Sequence, residues 1–182
     1  MPKRKPKIIA DKKQRGEWAE SVFMAKAHEH SLPVSKPWGE LSSYDFVIGK
    51  TGRFVSVQVK STMSQMGRGY VCTVRGGHKA YRAGSFDFLA VYVVAADAWY
   101  ILPFKVFQGK RSLAFYPNSP KARYENYREA WHLLHQAAGT TESPETASSE
   151  PPREEKAAPQ FSSPALARMQ AAGRFMQKYW DT

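Results

Sequence analysis

This 182-residue chain has one cysteine, no long hydrophobic run and far fewer acids than bases. With Cys72 alone, an intrachain disulfide or a multi-cysteine zinc site is excluded. The five histidines, His28, His30, His78, His132 and His135, are too scattered for a zinc cluster. No apolar run is long enough to span a membrane, and no strongly basic amphipathic helix stands out, so no membrane partner is expected. Ile8-Ile9-Ala10 is too short for the apolar core of a secretory signal. There is no internal repeat. A reducing, cytoplasmic setting is the natural inference.

What is present is positive charge. The formal net charge is +11. Up to Gln136 there are 22 Lys and Arg against 10 Asp and Glu, so the remaining tail is near −1. The excess sits where a phosphate-binding surface needs it, which points to nucleic acid. Residues 1–10 read as a flexible basic arm in which Lys3, Arg4, Lys5 and Lys7 are available to phosphates. A second basic stretch, Arg75 to Gly84, carries glycines and Tyr81; its Arg75, His78, Lys79 and Arg82 are candidate DNA contacts.

The organisation reads as one domain over residues 11–138, a linker over 139–164 and a short helix over 165–182. The linker is rich in Thr, Ser, Pro, Glu and Ala and lacks hydrophobic periodicity, so disorder is expected there. In the domain, Asp11 to about His30 has helical periodicity in Trp18, Val22 and Ala25, widened by Ala19 and Phe23. Gly69–Val74, Phe88–Ala95 and Trp99–Leu102 read as strands, the second buried on both faces. Lys121–Ala138 reads as a helix burying Tyr124, Tyr127, Ala130, Trp131 and Leu134. Helix, hairpin, strands and helix in that order give an α/β layer fold with a mixed sheet.

The informative segment is a hairpin. Ser43 to Ile48 forms one arm, Gly49-Lys50-Thr51-Gly52 the turn, and Arg53 to Lys60 the other arm. Strand alternation puts Gln58 and Lys60 on one face and Val57 and Val59 on the other. With the loop tip between Lys50 and Thr51, Asp45 falls opposite Ser56 and Gln58 is its diagonal neighbour, about 7–8 Å away. One divalent ion can bridge two side chains so placed. Glu20, bordering the apolar stripe of the preceding helix, is within reach of a metal on that strand.

Three runs share order and spacing with a known superfamily: Gly16-Glu17-Trp18-Ala19-Glu20, Ser43-Tyr44-Asp45-Phe46-Val47-Ile48, and Val57-Gln58-Val59-Lys60-Ser61. Together they resemble the PD-(D/E)XK nucleases, and more narrowly their group I intron homing-endonuclease-like branch. The likeness extends weakly through Phe86–Tyr92 and Tyr124–Trp131 and covers about residues 11–136. Tyr44 stands where the pattern has proline, and Gln58 where it has Asp or Glu; the homing-type branch is similar in having Gln there. A glutamine oxygen ligates a hard cation but brings no charge.

The resemblance implies a restriction-endonuclease-like mixed sheet flanked by helices and a metal-dependent endonuclease acting on double-stranded DNA. It implies Asp45, Gln58, the Val59 carbonyl and Glu20 around Mg²⁺ (or Mn²⁺ as a substitute), Lys60 at the reacting phosphate, and a 5′-phosphate product. It also implies a prokaryotic source and a homo-oligomer, dimer or tetramer, because two strands must be cut. Two other readings stay open at this point. One is an inactive DNA-binding module of the same fold, the other a resolvase selective for four-way junctions.

Overall fold

The computed structural model describes residues 9, 11–39, 42–50, 52–76 and 79–140. The arm cations Lys3, Arg4, Lys5 and Lys7, His78, and the chain from 141 onward, with the expected C-terminal helix, lie outside the described residues. The described residues belong to one compact unit ending at Ser143.

The chain opens with helix α1 (Lys12–Glu29), whose N-cap Asp11 accepts a hydrogen bond from the Gln14 N–H at 2.7 Å. Strands β1 (Val34–Ser35), β2 (Phe46–Gly49) and β3 (Phe54–Thr62) follow. Next come β4 (Gln65–Met66), β5 (Gly69–Thr73), β6 (Arg75–Gly76) and β7 (Lys79–Ala80). The pair β8 (Phe88–Val93) and β9 (Ala98–Pro103) leads into the short helix α2 (Phe104–Phe107), strand β10 (Ser112–Phe115) and helix α3 (His132–Ala138). The main sheet has the order β1-β2-β3-β8-β9, with β3 and β8 parallel and the other neighbours antiparallel. It is thus the expected mixed sheet of an α/β fold. A second, three-stranded sheet runs β10-β5-β4.

Strand alternation divides the core in two. Val57, Val59, Phe88, Ala90, Tyr92, Trp99 and Ile101 face α1 and α3, where Ala19, Phe23, Trp131 and Leu134 complete the layer. Leu89, Val91, Val93, Tyr100 and Leu102 face the other way, toward Cys72, Leu113 and Phe115 of the second sheet. Every residue of β8 is buried, as a central strand covered on both faces requires.

Four expectations need correction. The buried stripe of α1 is Ala19, Phe23 and Ala27, while Ala25 is exposed. Spacing by four keeps that row under the sheet, and Trp18 and Val22 flank it partly buried. The hairpin forms with a register two residues from the expected one: Val47 pairs with Ser56 and Phe46 with Val57. Gly49 permits it, pairing with Phe54 as the last residue of β2 at φ +150°; an added Cβ would lie 2.1 Å from the Arg53 carbonyl oxygen, so no other residue fits there.

The single helix expected over Lys121–Ala138 is broken. A 3₁₀ turn covers Glu125–Tyr127, and α3 begins only at His132. Between them Arg128 bridges to Tyr100. Glu129, in the left-handed region at φ 48°, donates its N–H to the Trp99 carbonyl at 2.8 Å. Its carboxylate accepts from the Trp99 N–H at 2.7 Å and the Trp131 Nε1–H at 2.9 Å. These bonds to β9 satisfy backbone groups that a continuous helix would leave bare.

The basic stretch Arg75–Gly84, expected as a loop, contains the two-stranded ribbon of β6 and β7. Tyr81 anchors it edge-on against Phe86, with ring centroids 4.8 Å apart.

Candidate active site

β2 starts at Phe46, so β3 loses its partner on that side beyond Val57. The Asp45 N–H still reaches the Val57 carbonyl at 2.9 Å, and there the two strands part. Two residues on, the Val59 N–H and C=O point to the same side of β3 and face the gap. The Asp45 carboxylate fills the place of the missing strand: its Oδ2 accepts the Val59 N–H at 2.6 Å. Carrying the register one step further puts Asp45 directly across from Gln58, not diagonal to it. The Gln58 Nε2 donates to Asp45 Oδ2 and, at 3.2 Å, to the Val59 carbonyl.

Glu20, Asp45, Gln58, Val59 and Lys60 line one cavity of about 290 Å³, together with Lys12, Arg15, Gly16 and Ser61. Lys12, Gly16, Glu20 and Asp45 also line an adjoining cavity of about 420 Å³, where Lys13, Glu17 and Lys36 join them. The Glu20 carboxylate is held by Lys36 Nζ at 2.8 Å. Lys36 follows β1, the short strand paired to the outer edge of β2.

The electrostatics follow from the burial. Removal from water pushes the Asp45 carboxyl up to about 6. The Val59 N–H opposes that shift, the Glu20 charge adds to it, and Lys60 and Lys36 oppose it. Gln58 is 7% exposed. A buried carboxylate at position 58 would face both Asp45 and Glu20; an amide satisfies the same atoms without a third charge. Cys72 contributes no nucleophile here, because burial pushes its thiol up to about 12.

The Asp45 carboxylate, the Val59 carbonyl and the Gln58 amide form an all-oxygen donor set once Gln58 presents Oε1. Hard divalent cations take such oxygens. Two of these oxygens already converge on one point, held by the amide N–H groups, so the residues fit a small cation. Among the described residues no three His, Cys, Asp or Glu side chains cluster as a metal site, which agrees with Gln58 standing in place of an acid.

The candidate DNA contacts Arg75, Lys79 and Arg82 are exposed and line neither cavity. Sequence reasoning missed Lys12, Arg15 and Lys36 as members of the site. Arg15 is the most distinctive: its Nη1 donates to the Ile9 carbonyl at 3.1 Å, while its buried Nε has no hydrogen-bond partner. Arg15 lies one residue before the Gly16–Glu20 run, a spacing that could have drawn attention to it.

Comparison with known proteins gives the chain a family. A family model described as PD-(D/E)XK endonuclease matches residues 10–134. Among solved structures, the bacterial homing endonuclease I-Ssp6803I is similar over 74% of this chain and 100% of its own, at 29% identity and a TM-score of 0.63. The Holliday junction resolvase Hjc of Archaeoglobus fulgidus is more distant, matching 57% of this chain and 88% of its own at 15% identity and a TM-score of 0.37. No curated protein matches the chain. No helix among the described residues is long and apolar enough to cross a membrane.

Proposed function

This chain belongs to the PD-(D/E)XK endonuclease family, and from that premise we propose a divalent-metal-dependent endonuclease that hydrolyses phosphodiester bonds of double-stranded DNA. One observation carries the reading. Where β2 leaves β3, Asp45, the Gln58 amide and the Val59 carbonyl meet, and Glu20 and Lys60 line the same cavity.

In the proposed site Asp45, Gln58 and the Val59 carbonyl would hold Mg²⁺, with Mn²⁺ as a substitute, and Glu20 would support the ion from the same cavity. The bound ion supplies Lewis acidity at a phosphate oxygen and lowers the pKa of a water. Lys60 orients the attacking water or stabilises the negative charge that builds on the phosphorane. Arg15, whose side chain lines the same cavity as Lys60 and Ser61, adds a permanent positive charge that attracts the phosphate. Water attacks phosphorus and gives up a proton, the P–O3′ bond breaks, O3′ leaves with the electron pair and is protonated to a 3′-hydroxyl, and the 5′-phosphate stays on the downstream product. Two such sites can cut both strands in one encounter, which favours a homo-oligomer, dimer or tetramer.

Cleavage of linear duplex and of four-way junctions, with Mg²⁺, Mn²⁺ or EDTA, tests the reading. Linear duplex should be cut only with metal. Asp45→Ala and Lys60→Ala should abolish cutting while DNA affinity stays within a factor of a few, because phosphate contacts elsewhere supply most of it. An intact chain that binds but never cuts would make this a binding module. Cutting confined to junctions would make it a resolvase. Sedimentation with and without DNA tests the oligomer.

A further inference from the structure

The segment after β1, Lys36-Pro37-Trp38-Gly39, carries the most exposed large apolar side chain among the described residues. Trp38 is 103% exposed, against 62% for Met66 and 61% for Phe54. The other tryptophans among the described residues, Trp18, Trp99 and Trp131, pack in or against the core. An isolated exposed leucine needs no explanation, but a fully solvated tryptophan is unusual and is the residue type most enriched at binding hot spots. Its position is defined by its neighbours. Pro37 has a fixed φ, and Gly39 turns the chain at φ +87°.

Pro37 and Gly39 both line the 420 Å³ cavity that shares Glu20 and Asp45 with the proposed metal site. The Trp38 backbone therefore sits on the rim of the reaction groove, beside the cavity that Lys12, Lys13 and Lys36 line, and its indole is fully in solvent. A strand whose phosphate enters that groove passes its bases along this rim. The two adjoining cavities together carry Lys12, Lys13, Arg15, Lys36 and Lys60 against Glu17, Glu20 and Asp45, a net positive lining that disfavours a second copy presenting the same face. DNA has the complementary charge, and every base has a π face for the ring.

We infer that Trp38 is a DNA contact, stacking on a nucleobase at the step beside the scissile phosphate and holding that strand in the cleft. This rests on the nuclease reading. The ring acts as a wedge or platform, is largely indifferent to which base it meets, and neutralises no phosphate.

The test is affinity of the full chain for a mixed-sequence DNA duplex, titrated at several salt concentrations in EDTA so that nothing is cut. Trp38→Ala should weaken binding between about fivefold and about a hundredfold. The slope of log affinity against log salt should not change, because a stacked ring releases no counterions. Trp38→Phe should keep most of the affinity. So exposed a residue is not needed for folding, and unchanged thermal melting of both variants checks this.

Unchanged affinity in Trp38→Ala would overturn the inference. So would a shallower salt slope, or an oligomer that dissociates on substitution, which would seat the ring between copies. Cleavage in Mg²⁺ is scored separately. An intact chain that cuts nothing while Trp38→Ala still loses affinity defeats the nuclease reading and leaves the stacking contact. An intact chain that cuts while Trp38→Ala binds equally well defeats the stacking contact alone.

Discussion

The Gln58 amide nitrogen is bonded to both Asp45 Oδ2 and the Val59 carbonyl oxygen, and so bridges two of the oxygens expected to face a metal. Ammonium-like donors and small cations satisfy carboxylates in the same way, and one must displace the other. In the proposed metal site the side chain would turn its amide and offer Oε1.

Gln58→Glu should therefore tighten Mg²⁺ binding, on the order of tenfold, since affinity at such sites follows ligand charge. Cleavage should persist. The metal-free variant should melt lower than the parent at neutral pH, because two facing carboxylates at low exposure must share a proton. Calorimetric titration with Mg²⁺ and melting in EDTA check both. Weaker metal binding would show that the position 58 side chain points away from the ion.

The Asp45 carboxyl, pushed up to about 6 chiefly by burial, gives a pH signature. Metal binding requires the ionised form, so affinity should fall by about tenfold per unit below pH 6 and level off above it. Stability of the metal-free protein runs the other way. The folded-state pKa lies above the unfolded value of about 3.9, so this group's contribution is complete below about pH 4 and is lost as pH rises through about 6. Metal-free melting temperature should rise on acidification from pH 7 to pH 5 by more in the parent than in Asp45→Asn. A parallel pH profile in the two proteins would show that Asp45 titrates normally.

Much of the site was legible because strand and helix periodicity are local. The α1 segment, the Gly49 turn and the two arms of the hairpin are written in runs of a few residues, and the alternation of Gln58 and Lys60 follows from the strand alone. The Asp45–Gln58 register was not legible. It depends on whether Gly49 ends the strand or starts the turn, which only its pairing with Phe54 reveals. Lys36 reaches Glu20 across a separation of sixteen residues, and no periodicity encodes that meeting. The three-stranded second sheet escaped notice because β4 and β10 are only 2 and 4 residues long. The helix expected through Glu129 has sound helical spacing, and tertiary bonds to Trp99 override it.

Gly49→Ala should test how the turn sets the site. The substitution should cost more than about 1 kcal/mol in urea unfolding, because the glycine conformation is unavailable to alanine. Metal affinity should fall with it, since Asp45 sits four residues upstream on the same strand path. Lost stability with intact metal affinity would show that Asp45 is positioned by its own bonds to Val57 and Val59 alone.

Removing residues 1–7 takes away Lys3, Arg4, Lys5 and Lys7 and keeps Ile9, whose carbonyl holds Arg15. If all four meet phosphates, the slope of log affinity against log salt should become shallower by about 3–4. The cleavage rate at saturating DNA should hold, as the proposed metal site is built from residues 20–60. An unchanged slope would mean that the arm never meets DNA.

Glu129 bears on how copies of this protein can meet. A sheet edge with free N–H and C=O groups is a template for another strand. On β9 the chain's own residues 128 and 129 occupy that template at Trp99 and Tyr100, through a conformation that glutamate rarely adopts. An assembly of subunits is thereby steered away from continuous sheets through that stretch of β9 and toward contacts between side chains. Such contacts can be specific for one geometry, whereas an open edge pairs with any extended chain it encounters.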